Sequence, residues 1–121
     1  MSKLTRKTNQ SLVDMIDQLK AQSRETGSAL WRDVALRLSR SRSNWAQPNL
    51  SRLSRYAPEG ATVLVPGKLL GSGDVVGKPT VCAYSFSTGA RDKIVAAGGT
   101  VLSLGELMKE NPNGKEVFIL G

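Results

Sequence analysis

The sequence predicts an α/β protein with short, largely parallel strands, preceded by an N-terminal helical hairpin and a basic loop. Three observations predict it. Apolar residues recur at intervals of three and four through residues 12–38, the period of a helix buried along one side. From residue 61 onward, short apolar runs alternate with helical stretches, the order that builds parallel pairing. Charge divides at the same place: residues 1–58 carry eleven Lys/Arg against four Asp/Glu, residues 59–121 six of each, so the first half holds all of the net +7.

Residues 1–8, with Lys3, Arg6 and Lys7, read as a short basic arm. From Asn9 the pattern turns helical: Leu12, Met15, Ile16 and Leu19 form one stripe, Thr8 or Asn9 can cap its start, Asp14 suits the positive end of the dipole, and Gly27 ends it. Ser28 caps a second helix, with Leu30, Val34 and Leu38 along one side, Trp31 and Ala35 beside them, and Arg37 and Arg40 at the edge facing out. Two helices joined at Gly27-Ser28 make a hairpin. Residues 39–49 read as a loop that a partner orders, because Ser-Arg-Ser-Arg-Ser-Asn-Trp has too little apolar content to fold alone.

Leu50 to Tyr56 reads as a short strand, and Ala61 to Val65 as a strand stopped by Pro66-Gly67. A glycine-rich loop follows (Gly67, Gly71, Gly73, Gly77), then a strand from Thr80 to Phe86. Ser87 or Thr88 opens a helix carrying Ala90, Ile94 and Val95, which Gly98-Gly99 ends. Thr100 to Leu102 is a strand, Ser103 to Glu106 a capping box for a short helix, Asn111-Pro112 its stop, and Glu116 to Leu120 the last strand. The runs Ala61–Val65, Val81–Tyr84 and Val117–Leu120 are almost wholly apolar, as strands covered on both faces are. At 121 residues one domain is expected, with residues 1–58 as basic hairpin and loop and 59–121 as α/β core.

Composition excludes several chemistries. There is no histidine, so the commonest general base and metal ligand is missing and a Ser-His-Asp or Cys-His nucleophile cannot form. One cysteine makes no internal disulfide and no structural zinc site; Cys82, inside Val-Cys-Ala-Tyr, reads as a small buried hydrophobe. Asp74, Asp92 and Glu106 are scattered and suggest no catalytic carboxylate pair. No apolar run has membrane-spanning length, and an intracellular, cytoplasmic protein without cofactor, metal or small-molecule substrate is expected.

A sequence pI near 10 and a one-sided charge favour a polyanionic partner. From Val34 to Pro58 the chain holds Arg37, Arg40, Arg42, Arg52 and Arg55 and no acid. Arginine suits phosphate, whose oxygens accept two parallel guanidinium hydrogen bonds. Trp45 either packs over a core edge or stacks on an exposed base. The loop Pro66-Gly67-Lys68-Leu69-Leu70-Gly71-Ser72-Gly73-Asp74 follows a strand but matches no nucleotide fingerprint: Gly-Lys comes first rather than last, and the third glycine of the dinucleotide pattern is out of place. It is either a tight turn or a turn whose Lys68 and backbone meet an RNA backbone.

The run Tyr56-Ala57-Pro58-Glu59-Gly60 through Val63-Leu64-Val65-Pro66-Gly67-Lys68-Leu69-Leu70-Gly71-Ser72-Gly73 resembles the large-subunit ribosomal protein eighteen-e family of archaea and eukaryotes. So do Ser85-Phe86-Ser87, Ala90, Lys93-Ile94, Ala97-Gly98-Gly99, Val101-Leu102, Lys7-Thr8-Asn9 with Leu12 and Ile16, and Asn49-Leu50-Ser51-Arg52. The resemblance spans nearly the whole chain. It implies a three-layer α/β core related to the bacterial large-subunit protein fifteen, and a non-enzymatic role binding large-subunit ribosomal RNA among neighbouring ribosomal proteins. It implies RNA contact at Lys7, Arg52, Lys68 and the glycines that follow, Gly71 and Gly73. Arg32 and Lys78 complete the set of candidate contacts. Two departures stand out: Pro48 replaces an expected β-branched residue and should bend the approach to a strand at Leu50, and no basic residue follows Phe118. Two other functions remain open from the residues: a DNA-binding regulator using Ser28–Arg40 as recognition helix, and a small enzyme with a phosphate-binding loop.

Overall fold

The computed structural model describes residues 3–57 and 61–120, without the side chains of residues 3–9 and of Arg42. Two helices come first, α1 (Lys3–Thr26) and α2 (Ala29–Leu38), then a short α3 (Leu50–Tyr56). β1 (Thr62–Leu69), β2 (Thr80–Phe86), α4 (Thr88–Ala96), β3 (Thr100–Leu102), α5 (Leu104–Glu110) and β4 (Val117–Ile119) follow. The strands form one sheet in the order β3-β2-β1-β4, and every pairing is parallel.

Successive residues of a strand point to opposite faces, and the apolar runs use both. Leu64, Cys82 and Leu102 face one side, where Leu19 of α1, Trp31, Val34, Ala35 and Leu38 of α2, and Leu104, Leu107 and Met108 of α5 bury them. Val63, Val65, Val81 and Ala83 face the other, covered by Leu50 and Leu53 of α3 and Ala90 and Ile94 of α4. The result is three layers, helices–sheet–helices. β1 and β2 are parallel neighbours with no helix in residues 70–79 between them. The cover that a crossover helix usually supplies comes from α3, which precedes β1.

The hairpin turns at Gly27, whose φ of 74° is a left-handed conformation that glycine adopts without strain. Ser28 occupies the N-cap position of α2, but its side chain makes no capping bond there, contrary to expectation. Instead its carbonyl accepts from Ser23 Oγ (2.8 Å) and its N–H donates to Thr26 Oγ1 (3.2 Å). Trp31 is fully buried, and its indole N–H donates to the Pro112 carbonyl (2.8 Å), tying α2 to the turn after α5. Gln22 of α1 donates to the same carbonyl (3.1 Å).

Several expectations are corrected. The arm expected over residues 1–8 is, from Lys3, the start of α1, so neither Thr8 nor Asn9 is a cap. Within the α1 stripe only Leu19 is buried; Leu12, Met15 and Ile16 are half-buried, as is Leu30 of α2. Leu50–Tyr56 is a helix, not a strand: Leu50 and Leu53 are buried at a spacing of three, and Asn49 Oδ1 accepts from the Arg52 N–H (3.0 Å) as an N-cap. Pro48 therefore bends the approach to no strand. It is buried, and its carbonyl accepts from the Leu70 N–H (2.8 Å).

β1 does not stop at Val65 but runs through Pro66-Gly67 to Leu69. Proline is tolerated because it sits where the β1–β2 register shifts, and beyond Leu64, where β4 has ended. The freed edge of β1 is taken by the segment expected to await a partner: Ala46 and Asn49 bridge to Gly67 and Leu70, and the Ala46 carbonyl accepts from the Lys68 N–H (3.1 Å). A Cβ at Gly67 would strike that same carbonyl oxygen, so the close approach needs glycine. β4 is a half-buried edge strand rather than one covered on both faces.

Cys82 is buried, as expected, and its thiol is pushed up from an ordinary 9.0 to about 12 by burial, with the Glu106 charge adding to it.

Trp31→Ala should cost about 3–5 kcal/mol of folding stability, and Trp31→Phe, which keeps a ring but gives up the bond to Pro112, about 1–3 kcal/mol, read as lower urea midpoints. Gly67→Ala should speed amide exchange at Lys68 and Leu70 while leaving Thr62–Leu64, on the β4-paired part of β1, protected. The Cys82 thiol ionises in the unfolded chain near its ordinary value but stays protonated in the folded one. Its contribution is therefore full below pH 9 and should be lost between pH 9 and about 12 as rising pH favours unfolding. Alkaline urea titrations check this, and Cys82→Ala should flatten the decline.

Candidate nucleic-acid interface

Four arginines of the first half, Arg40, Arg42, Arg52 and Arg55, belong to two short elements anchored to one edge of β1, the turn after α2 and the helix α3. After α2, Arg40 is exposed and its carbonyl accepts from Trp45 Nε1–H (3.0 Å), which closes the chain into a compact turn over Arg42–Asn44. Arg37, Arg40, Asn44, Trp45, Ala46 and Pro66 line a shallow depression of about 100 Å³. The Ala46–Asn49 stretch runs along β1 and leads into α3. With Leu50 and Leu53 turned inward, Arg52, Arg55 and Tyr56 fall on the outer side of that helix. Asn49, Ser51 and these three line a second depression of about 300 Å³. Neither depression is lined by a carboxylate. Lys68, exposed on β1 and bonded through its backbone to Ala46, lies against the stretch that joins them.

The remaining candidates are distributed differently. Arg37 is bound to Asp33 one turn back (3.0 Å), the one ion pair among the described residues. Arg32 is exposed on α2, beside the buried Trp31. Lys78 is exposed just before β2, and its stem lies against Gly98. That places it at the opposite end of the sheet from Lys68, roughly 20 Å along the strand direction. Lys3, Arg6 and Lys7 lie on α1, but their side chains, like that of Arg42, lie outside the described residues. Trp45 packs edge-on to Tyr84, ring centroids 5.2 Å apart, and is half-buried.

Gly71 and Gly73 answer to a packing demand. A Cβ on Gly71 would lie 2.8 Å from the Ala90 backbone nitrogen, and one on Gly73 would strike the Ser51 hydroxyl. The Gly71 and Gly73 carbonyls accept from Lys93 Nζ (2.8 and 2.9 Å), and the Ser72 carbonyl accepts from the Ser51 N–H (3.2 Å). The loop thus wedges between the starts of α3 and α4, where side chains would not fit, and the carbonyls of Gly71, Ser72 and Gly73 accept from protein donors. Tyr56 was not singled out as a contact from sequence. The signal was Asn49 ahead of Leu50 and Leu53, a helix start that puts Tyr56 one turn after Arg52.

On the other side of β2, a larger cleft of about 550 Å³ is lined by Tyr84, Arg91, Asp92, Ser103 and Glu106 among others. Its charges are mixed. Glu106 sits below the usual glutamate range because the Ser103 backbone N–H, and then its hydroxyl, stabilise the carboxylate in the α5 capping box. Among the described residues no group of three or more His, Cys, Asp or Glu could hold a metal ion, and no helix is long and apolar enough to cross a membrane. The face of α2 that a recognition helix would need is largely spent in the core through Trp31, Val34, Ala35 and Leu38.

Residues 2–121 match the sequence profile of the family described as ribosomal protein 60S L18 and 50S L18e. The chain is 47% identical over 114 residues to the large ribosomal subunit protein eL18 of Methanothermobacter thermautotrophicus, covering 94% of each chain. It is 45% identical over 120 residues to that of Methanospirillum hungatei, covering 99% of each. It is 44% identical over 114 residues to that of Halobacterium salinarum, covering 94% of this chain and 97% of the other. With a match running essentially end to end and identities well above those at which families diverge in fold, the chain belongs to the L18/L18e family of large-subunit ribosomal proteins.

Proposed function

We propose that this protein is a non-enzymatic, structural component of the large ribosomal subunit that binds ribosomal RNA through the cationic surface along the β1 edge. The observation that carries the reading is the pairing of two acid-free depressions, holding Arg40, Arg52 and Arg55 beside Lys68, with a sheet half of no net charge. Phosphate neutralisation supplies affinity, and the fixed spacing of the cations matches a folded RNA by shape rather than by sequence. Arg32, Arg37, Arg42 and the basic start of α1 (Lys3, Arg6, Lys7) extend the contact. Trp45 holds the loop in position, and Gly71 and Gly73 hold Lys68 and α3 in register. The chain acts as one domain, because the cationic helices and the sheet share a single buried layer. Its place is the ribosome, among other large-subunit proteins, without cofactor or metal.

A DNA regulator would set the outer face of α2 into a groove, but that face carries the exposed Leu36 beside Arg32, and the cations gather along β1 instead.

Binding of the full chain to deproteinised archaeal large-subunit rRNA should weaken steeply with salt. Replacing Arg40, Arg52 and Lys68 together by Ala should weaken it further and flatten the log–log salt slope by about 2–3. Lys109→Ala, on α5, should leave the slope unchanged. A triple variant with the wild-type slope, or tighter binding to duplex DNA than to this RNA, overturns the reading.

A further inference from the structure

The geometry points to a specific use for Tyr56: together with Arg52 and Arg55 it forms a stacking platform for one unpaired base of an RNA strand, the two guanidiniums taking the phosphates on either side. This rests on the proposed rRNA binding and names a contact within that surface.

Tyr56 is the only one of the six aromatic side chains that is exposed, at 53%. The others are spent on the protein: Trp31 is buried, Trp45 and Tyr84 pack on each other, and Phe86 and Phe118 pack against the core around α3 and α4. An exposed ring is ordinarily free to swing, and this one has two guanidinium groups near it. The Arg52 guanidinium carbon lies 5.2 Å from its centroid and that of Arg55 6.0 Å. Both distances fall within the range of cation–π attraction. The backbone beneath is fixed by the Asn49 cap and by the buried Leu50 and Leu53. The ordering cost of the backbone is thereby met before a ligand arrives.

The chemistry of the platform selects its ligand. A tyrosine ring with two guanidinium groups near it presents flat, polarisable surface, which every nucleobase can cover and which a carboxylate cannot use. Neither Arg52 nor Arg55 pairs with a carboxylate among the described residues, so both keep donors for phosphate. A base and its two flanking phosphates come together only in a nucleotide within a strand. A duplex hides the faces of its bases, so the strand must be unpaired there, in a loop or bulge. The depression is open and shallow, unlike the enclosed pockets that hold a free mononucleotide.

The test uses the full chain and deproteinised archaeal large-subunit rRNA. Tyr56→Phe should bind within about twofold of wild type, because the face is kept. Tyr56→Ala and Tyr56→Leu should each weaken binding by about fivefold to about 150-fold without altering the salt slope, the signature of lost stacking. Arg52→Ala and Arg55→Ala should each lower the slope by about 0.7, the value for one phosphate of a single strand. Ultraviolet cross-linking of the wild-type complex should place a loop or bulge nucleotide on the Tyr56 peptide. Because the side chain is exposed, the urea midpoints of all these variants should match wild type. If Tyr56→Ala and Tyr56→Leu bind as wild type while the arginine variants still flatten the slope, the platform is overturned and the RNA-binding reading stands. If Tyr56 variants fail only in binding an acidic peptide and not rRNA, the platform serves protein and the inference is wrong. If the wild-type chain binds no rRNA, both fail.

Discussion

The indole of Trp31 is the constraint from which the architecture follows. It lies fully buried in the layer that α2 shares with Leu64, Cys82 and Leu102 of the sheet, and its N–H reaches the Pro112 carbonyl in the turn between α5 and β4. A buried N–H without a partner costs free energy comparable to a lost hydrogen bond, so the ring and the turn hold each other in place. Because Gln22 of α1 donates to the same carbonyl, both arms of the hairpin are referenced to one point near the end of the chain. The cationic half is therefore not a tail attached to a folded half. Its helices are one of the layers that make the sheet a core.

Fixing α2 also fixes where its end lies, and the loop that follows has a short path to β1. There the sheet offers an edge because β4 pairs with only the first part of the strand. Ala46 and Asn49 take up that edge, Gly67 lets the backbone approach, and Pro66 sits at the irregularity where its missing N–H does no harm. Asn49 then starts α3, whose inner side closes the second core and whose outer side carries Arg52, Arg55 and Tyr56. A chain of ordinary local choices thus sets arginines from either side of residues 46–49 along one edge of β1, in two depressions whose linings hold no carboxylate.

This arrangement divides labour between the two faces of the molecule. The cleft beyond β2 carries Arg91 together with Asp92 and Glu106, so its charge is mixed and net negative. The two depressions along the β1 edge are lined by cations and by no carboxylate. Arg37 has Asp33 as a counter-ion, and the long side chains of one sign gathered beside it raise the self-energy of the folded protein. The fold tolerates this because the cations are solvated at the surface, while the buried layers contain no charged side chain among the described residues.

The amino-acid order alone determined the helical hairpin, the parallel α/β half, the Ser103 capping box and the inert Cys82, because each rests on periodicity or on contacts a few residues apart. It also determined the charge division and, through the Pro-Gly-Lys to Gly-Ser-Gly run, the family. Local pattern misled at Leu50–Tyr56, where two leucines in seven residues fit a strand nearly as well as a helix and only the cap at Asn49 and the core beneath decide. It misled at Pro66 too, since whether a proline ends a strand depends on what lies along its edge. Which cations share a surface was beyond its reach: Lys68 and Lys78 are ten positions apart yet sit at opposite ends of the sheet, while Arg40 and Arg52 are brought to one edge by a parallel bridge. Proximity between distant residues is set by strand register and layer packing, and those exist only once the chain has closed on itself.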